Sequence, residues 1–245
     1  MPRQIIQRMF SSPCKNNLTD VLFWIPFQDL LSLLKRVSRK LYMKVIAVGR
    51  NYIEHAHELN NPVPTTPVIF MKPDTAILKD NKDFYYPEFS NDVHYEVEVV
   101  IRICNEGKHV SQKFAHKYYD AVGLGIDFTA RDIQAKHKEK GLPWELAKAF
   151  DHSAVISPLL PKEEFEALNN ITFSLQKNGA TVQSGNTKDM IFDFDTLVAF
   201  ISKYITLRKG DLIYTGTPAG VGSVAIGDTL EGFIGDRAMF KTAIK

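Results

Sequence analysis

The sequence predicts a β-rich α+β domain, and three observations carry that prediction. Residues 93–103 alternate side chains with the period of two that a strand requires. Asn178-Gly179 separates two further strand-like runs, residues 171–177 and 181–184, and suits a two-residue type I′ hairpin turn. Short apolar runs punctuated by turns dominate the remainder, with a few helical patterns inserted, which argues against a doubly wound sheet.

The elements follow in order. Residues 45–48 form an apolar strand ending at Gly49, and residues 51–59 have helical character until Asn60-Asn61-Pro62 stops them. A short strand at 68–71 precedes Pro73, and 121–126 is an apolar strand containing glycine. The helix expected after it has Thr129 and Asp132 at capping-box spacing, with Asp in place of the usual Glu, and Gly141 to close it. Residues 195–204 are helical in pattern and 211–215 extended. The glycine-rich tail to Lys245 reads as short strands. No internal repeat, low-complexity segment or domain break follows Met43.

Bulk composition narrows the function classes. A chain of 245 residues with 44% hydrophobic content buries a substantial core. Its net charge of +2, from 30 basic and 28 acidic residues, gives no footprint for nucleic acid. Lys136, Lys138 and Lys140 read as a solvated helix face. Cys14 and Cys104 form neither a Cys-x-x-Cys pair nor a zinc spacing, so a reducing cytoplasm is the natural compartment.

Residues 1–42 differ from the rest. Seven basic side chains, Arg3, Arg8, Lys15, Lys35, Arg36, Arg39 and Lys40, stand against Asp20 and Asp29 alone. The apolar stretch at 21–34, broken by Pro26 and Asp29, is too short for a bilayer, which needs about 20 residues. It is also a poor secretory signal, because its apolar region starts late and no small-residue cleavage site follows. Two readings remain: an organellar transit segment, or a start assigned upstream of the true first residue, Met43. The second is preferred, since Met43 runs straight into a buried strand, and it makes residues 1–42 an extension outside the fold of residues 43–245.

Strand periodicity also exposes a candidate metal site. Along 93–101, Tyr95, Val97, Val99 and Ile101 share one apolar face, while His94, Glu96, Glu98 and Val100 share the other. Glu96 and Glu98 then lie roughly 6.5–7 Å apart along the strand. At an effective dielectric of about 20 they repel by roughly 2.5 kcal/mol, a cost that a hard divalent cation between them would remove. The plain alternative is a solvated strand face. Asp127, at the end of the 121–126 strand, offers a third oxygen ligand, or else is an ordinary turn residue.

The chain also carries an ordered set of motifs. Gly49-Arg50-Asn51-Tyr52 leads to His55 and Glu58; Phe70-Met71-Lys72-Pro73 and His94-Tyr95-Glu96-Val97-Glu98 follow. Then come Asp127-Phe128-Thr129-Ala130-Arg131-Asp132, Gly141-Leu142-Pro143-Trp144, Lys148, Thr215-Gly216-Thr217-Pro218 and Gly220-Val221-Gly222. In this order they resemble the fumarylacetoacetate hydrolase family, in particular its short branch of acylpyruvate hydrolases and oxaloacetate decarboxylases, over about residues 43–245.

The resemblance implies a β-sandwich roll with a few inserted helices, usually a homodimer, with one Mg²⁺ or Mn²⁺ on Glu96, Glu98 and Asp127. It implies an enzyme that cleaves a carbon–carbon bond in a small 2-oxo acid through a metal-stabilised pyruvate enolate, by acylpyruvate hydrolysis, oxaloacetate decarboxylation or both. By the same resemblance His55 is the general base, Glu58 orients it from a mobile segment that closes over the site, and Lys148 stabilises developing negative charge. Arg131, Gln134 and Thr217 hold the substrate. By residue pattern alone, His55 and Glu58 are an ordinary i,i+3 helix pair, Lys148 a surface helix lysine, and Arg131 and Gln134 solvated helix residues. Lys72 and Arg50 read more readily as structural. The turn around Thr217 is not a phosphate loop, lacking the Gly-Lys-Ser/Thr ending. Two alternatives stay open: isomerisation of an unsaturated 2-oxo-dioate in aromatic catabolism, and a metal-stabilised binding protein without turnover.

Overall fold

The computed structural model describes residues 43–59 and 62–245. The reading of residues 1–42 as an extension lies outside the described residues. From Met43 to Lys245 the chain is one compact unit.

An eight-stranded sheet is its centre. Along its edge-to-edge path run β2 (Val68–Lys72), β1 (Val45–Gly49), β12 (Leu212–Tyr214), β5 (Val97–Ile103), β6 (Tyr119–Asp127), β8 (Ala154–Ile156) and β3 (Ile77–Leu78), with β9 (Leu160–Pro161) also paired to β6. A four-stranded sheet, β11 (Ala180–Asn186), β10 (Thr172–Lys177), β14 (Thr229–Ile234) and β15 (Arg237–Ala243), packs on it. Three short strands, β13 (Gly222–Ser223), β4 (Val93–Tyr95) and β7 (Thr129–Ala130), make a third. Among the described residues four α-helices are inserted: α1 (Ile53–Glu58), α2 (Arg131–Lys140), α3 (Glu145–Lys148) and α4 (Phe194–Tyr204).

Alternation along the strands splits the core in two. Ile46 and Val48 of β1, Val97, Val99 and Ile101 of β5, and Val122, Leu124 and Ile126 of β6 face the four-stranded sheet, meeting Phe173, Leu175, Leu230 and Phe240. Val45 and Ala47 of β1, Val100 of β5 and Tyr214 of β12 face the other way into a smaller apolar cluster. The central sheet is thus buried on both faces. Side chains that periodicity assigned to a possible solvent face, Glu96 and Glu98, are 5% and 1% exposed.

Local sequence signals explain several elements. Asn178 and Gly179 take φ of 53° and 81°, the left-handed pair that a type I′ turn demands, and the β10–β11 hairpin closes with Lys177 opposite Ala180. Asp193 caps α4 by accepting from the Thr196 amide at 2.7 Å. Gly141 ends α2 with φ 64°.

Two expectations fail. The capping box does not form: Ala130 precedes α2, Thr129 sits in β7 with its hydroxyl donating to the Asp127 carbonyl, and Asp132 instead accepts from Ser90 Oγ at 2.7 Å. The β4–β7 pairing takes the backbone that a Thr129 cap would need. The run 93–103 is also not one strand. It breaks at Glu96, with β4 paired to β7 and β13, and β5 paired to β6 and β12. Alternation survives across the break, with Tyr95 and Val97 both packed into the larger core.

Gly125 of β6 shows how tightly this region is built. A Cβ there would lie 2.4 Å from the Val155 carbonyl oxygen and 2.7 Å from the Tyr214 ring. Gly125→Ala is therefore expected to lower stability by about 1–3 kcal/mol in urea denaturation. An unchanged midpoint would mean that β8 gives way freely.

Candidate active site

The three carboxylates come together through strand register. In the β5–β6 ladder Glu98 stands opposite Gly125 and Val97 opposite Ile126, so the next position brings Asp127 across from Glu96, where the Asp127 amide donates to the Glu96 carbonyl at 2.9 Å. Directly opposed residues share a face. Glu96, Glu98 and Asp127 consequently each offer an oxygen within 4.8 Å of the others, all three buried.

Cations are distributed unevenly among them. Lys148 Nζ lies 2.8 Å from Glu96 Oε2 and 2.6 Å from Asp127 Oδ2. Arg131 Nη2 lies 2.5 Å from Glu96 Oε1 and donates from Nη1 to Gln134 Oε1 at 2.7 Å. Lys72 Nζ lies 2.7 Å from Asp127 Oδ1, also donating to Ser153 Oγ and to the Lys148 carbonyl. Asp127 thus has an ammonium against each of its carboxylate oxygens, Lys72 at Oδ1 and Lys148 at Oδ2. Glu98 is ion-paired with no side chain among the described residues and accepts only the Gly216 amide, at 2.7 Å.

These differences pull the acidities apart. Burial raises Glu96, but Lys148 and Arg131 outweigh it and hold the carboxyl well below the usual range. For Glu98 burial, then the charges of Asp127 and Glu96, all push upward, well above it. Burial opposes the Lys148 ammonium, yet Asp127 and Glu96 raise it overall. Burial wins for Lys72, which is lowered. Three buried carboxylates within reach of one another, one of them without an ion-pair partner among the described residues, make the donor set a hard divalent ion takes.

The rest of the site closes around this triad. His55, 5% exposed on α1, places Nδ1 3.1 Å from Glu58 Oε2, and Glu58 Oε1 accepts the Gly220 amide at 2.9 Å. Glu58, itself exposed, thus ties the buried His55 to the glycine-rich turn, while His57 is exposed. His55, Arg131, Gln134, Lys148 and Thr217 line one cleft together with Glu96 and Glu98. The Thr217 hydroxyl donates to the Val97 carbonyl at 2.8 Å and accepts from Gln183 at 2.9 Å.

Sequence reasoning missed several residues. Lys72, read as structural, is 1% exposed and in contact with Asp127. Gln183 joins Val97 to Thr217 and Pro218, and Asn51 clamps the start of α1 to the Thr215 and Phe192 carbonyls. Lys138, read as part of a solvated face, is half-buried in the cleft. The signal was present for Lys138: positions 131, 134 and 138 share one helix face. For Lys72, Gln183 and Asn51 nothing local marks the role.

The fold and sequence have known relatives. Residues 44–243 match the family described as fumarylacetoacetate (FAA) hydrolase C-terminal. The oxaloacetate decarboxylase, mitochondrial, of Dictyostelium discoideum is 41% identical over 77% of this chain and 87% of its own length. The oxaloacetate tautomerase of Escherichia coli K12 is 41% identical over 76% and 86%. Among solved structures, fumarylpyruvate hydrolase from Pseudomonas aeruginosa in complex with Mn²⁺ and pyruvate superposes with TM-score 0.79 at 34% identity, covering 83% of this chain and 89% of that one. The chain belongs to the fumarylacetoacetate hydrolase family, whose enzymes related to it process 2-oxo acids.

Proposed function

We propose that residues 43–245 form a divalent-metal-dependent enzyme that breaks a carbon–carbon bond in a small 2-oxo acid, by oxaloacetate decarboxylation, acylpyruvate hydrolysis or both. The observation that carries this reading is the buried triad Glu96, Glu98 and Asp127, with its oxygens within 4.8 Å of one another and Glu98 ion-paired with no side chain among the described residues. These residues would hold Mg²⁺ or Mn²⁺. A bound cation would supply Lewis acidity toward the keto and carboxylate oxygens of a 2-oxo acid.

The chain's own groups account for the rest. Arg131 and Gln134, hydrogen-bonded to each other on the α2 face, present guanidinium and amide donors to the substrate's carboxylate and carbonyl. Thr217 lines the same wall, its hydroxyl hydrogen committed to Val97. The Lys148 ammonium stabilises negative charge that develops on the substrate as the bond breaks. Hydrolysis also needs an activated water. His55 is placed to take that proton, and Glu58, anchored by the Gly220 amide, fixes the imidazole's orientation. Decarboxylation needs no such water, so one cleft serves both reactions.

The deciding experiment is a panel of oxaloacetate and acetylpyruvate with and without Mg²⁺ or Mn²⁺. Turnover that appears with metal and disappears on chelation is expected. Turnover indifferent to chelation would defeat the metal reading, and none with either substrate would favour the binding protein or the 2-oxo-dioate isomerase. His55→Ala is expected to slow acetylpyruvate hydrolysis by about 10²–10⁴. Unimpaired hydrolysis in that variant would remove His55 as base.

A homodimer is expected from the family resemblance, and light scattering tests it. The Dictyostelium relative is named mitochondrial, and residues 1–42 are basic and acid-poor, which favours the organellar compartment over the cytoplasmic one. The mass of the natural N-terminus tests it. Among the described residues no helix is long and apolar enough to cross a membrane.

A further inference from the structure

The cleft carries two cations that the reaction as described does not use. Arg50 follows β1 and Lys138 lies on α2, and both line the cleft that holds Glu96, Glu98 and Lys148. They converge on one ring: Arg50 Cζ lies 5.9 Å and Lys138 Nζ 5.8 Å from the centre of Trp144. Neither is ion-paired with a carboxylate among the described residues, although Lys72, Lys148 and Arg131 all are.

Holding them there is costly. Arg50 takes φ 60°, a left-handed backbone that a long side chain seldom adopts. Lys138 is half-buried, and burial, then Arg50 and Arg131, bring its ammonium down to about 8. Two like charges without a carboxylate partner among the described residues, lining one cleft beside the same ring, one of them at a strained position, suit an anion that joins them. Four cationic side chains, Arg50, Arg131, Lys138 and Lys148, line the cleft with two carboxylates, Glu96 and Glu98. The cleft therefore suits a ligand with more than one negative charge, even before a divalent cation is added.

We infer that Arg50 and Lys138, backed by Trp144, form a subsite for the distal carboxylate of a dicarboxylic 2-oxo acid, and so set a preference for dicarboxylates over acylpyruvates with a neutral distal end. The inference rests on the proposed function and deepens it. Arg131 and Gln134 take the proximal 2-oxo carboxylate, and the second carboxylate lies between Arg50 and Lys138. Trp144 forms the floor and supports both cations by cation–π contact. The planar Arg50 guanidinium offers paired donors to that carboxylate, and Lys138 adds a point charge.

The test compares oxaloacetate with acetylpyruvate, whose acetyl group replaces the distal carboxylate at similar size. The readout is the ratio of their kcat/KM values in wild type, Lys138→Gln, Lys138→Arg and Arg50→Asn, asparagine being tolerant of the left-handed backbone. Lys138→Gln and Arg50→Asn are each expected to lower the oxaloacetate-to-acetylpyruvate ratio on the order of tenfold, as loss of a charge-assisted hydrogen bond does. Lys138→Arg keeps most of it. An unchanged ratio in both neutral variants overturns the inference, as does an equal fall for both substrates. Should wild type turn over neither substrate, the reaction reading fails separately. Calorimetry with 2-oxoglutarate against 2-oxopentanoate then decides the subsite. A wild-type preference for the dicarboxylate, lost in the two neutral variants, upholds it, and no preference overturns it.

Discussion

Glu96→Ala is expected to abolish metal-dependent turnover and the metal's effect on stability together. Lewis-acid stabilisation is worth several kcal/mol, and each 1.4 kcal/mol is about tenfold, so the rate should fall on the order of 10³-fold or more. A cation that binds only the folded protein stabilises it by about 2.7 kcal/mol at a hundred times its dissociation constant. For a domain of this size that corresponds to a rise in Tm of roughly 5–10 °C. Differential scanning fluorimetry across a Mg²⁺ titration should show the rise in wild type and a flat response in the variant. The variant removes one of three oxygen donors and also releases Lys148 and Arg131 from their shared partner. An active Glu96→Ala enzyme, indifferent to chelation, would refute the triad as a metal site.

The second large effect is on folding. Lys72 is fully buried, and its ammonium lies 2.7 Å from Asp127 Oδ1. Lys72→Met keeps the volume and removes the charge. Breaking a buried pair from one side typically costs about 3–5 kcal/mol, because the remaining charge stays buried without compensation. Urea denaturation of the metal-free variant should show a loss of that size. Adding Mg²⁺ should narrow the gap to wild type, since a divalent cation supplies positive charge to the same carboxylate. A loss below about 1 kcal/mol would mean that Lys148 alone suffices to balance Asp127.

Lys72 also shows the limit of reading a site from sequence. Its neighbours, Met71 and Pro73, mark only the end of an apolar strand. Its role comes from the side-chain atoms of Asp127 and Ser153, 55 and 81 positions away, and no local period announces them. Gln183 is the same case. It sits in a hairpin whose turn was legible, yet its amide works on the β5 backbone and on Thr217. The capping box failed for a related reason. A local pattern at Thr129 lost to the pairing of β7 with β4, which claimed the backbone the cap would need.

What the sequence determined by itself is what backbone geometry repeats over a few residues. Period two put Glu96 and Glu98 on one face, helical spacing put His55 beside Glu58 and Arg131 beside Gln134, and Asn178-Gly179 specified its turn. The ordered motifs added the family and, through it, the expected ligand set and base. Only the tertiary structure decided that the face carrying Glu96 and Glu98 is buried. It also set the β5–β6 register that brings Asp127 opposite Glu96, and placed Lys72, Arg50 and Lys138 around them. Burial and register are settled by which distant segments pair. That pairing is a property of the whole sheet, which no short window of sequence contains.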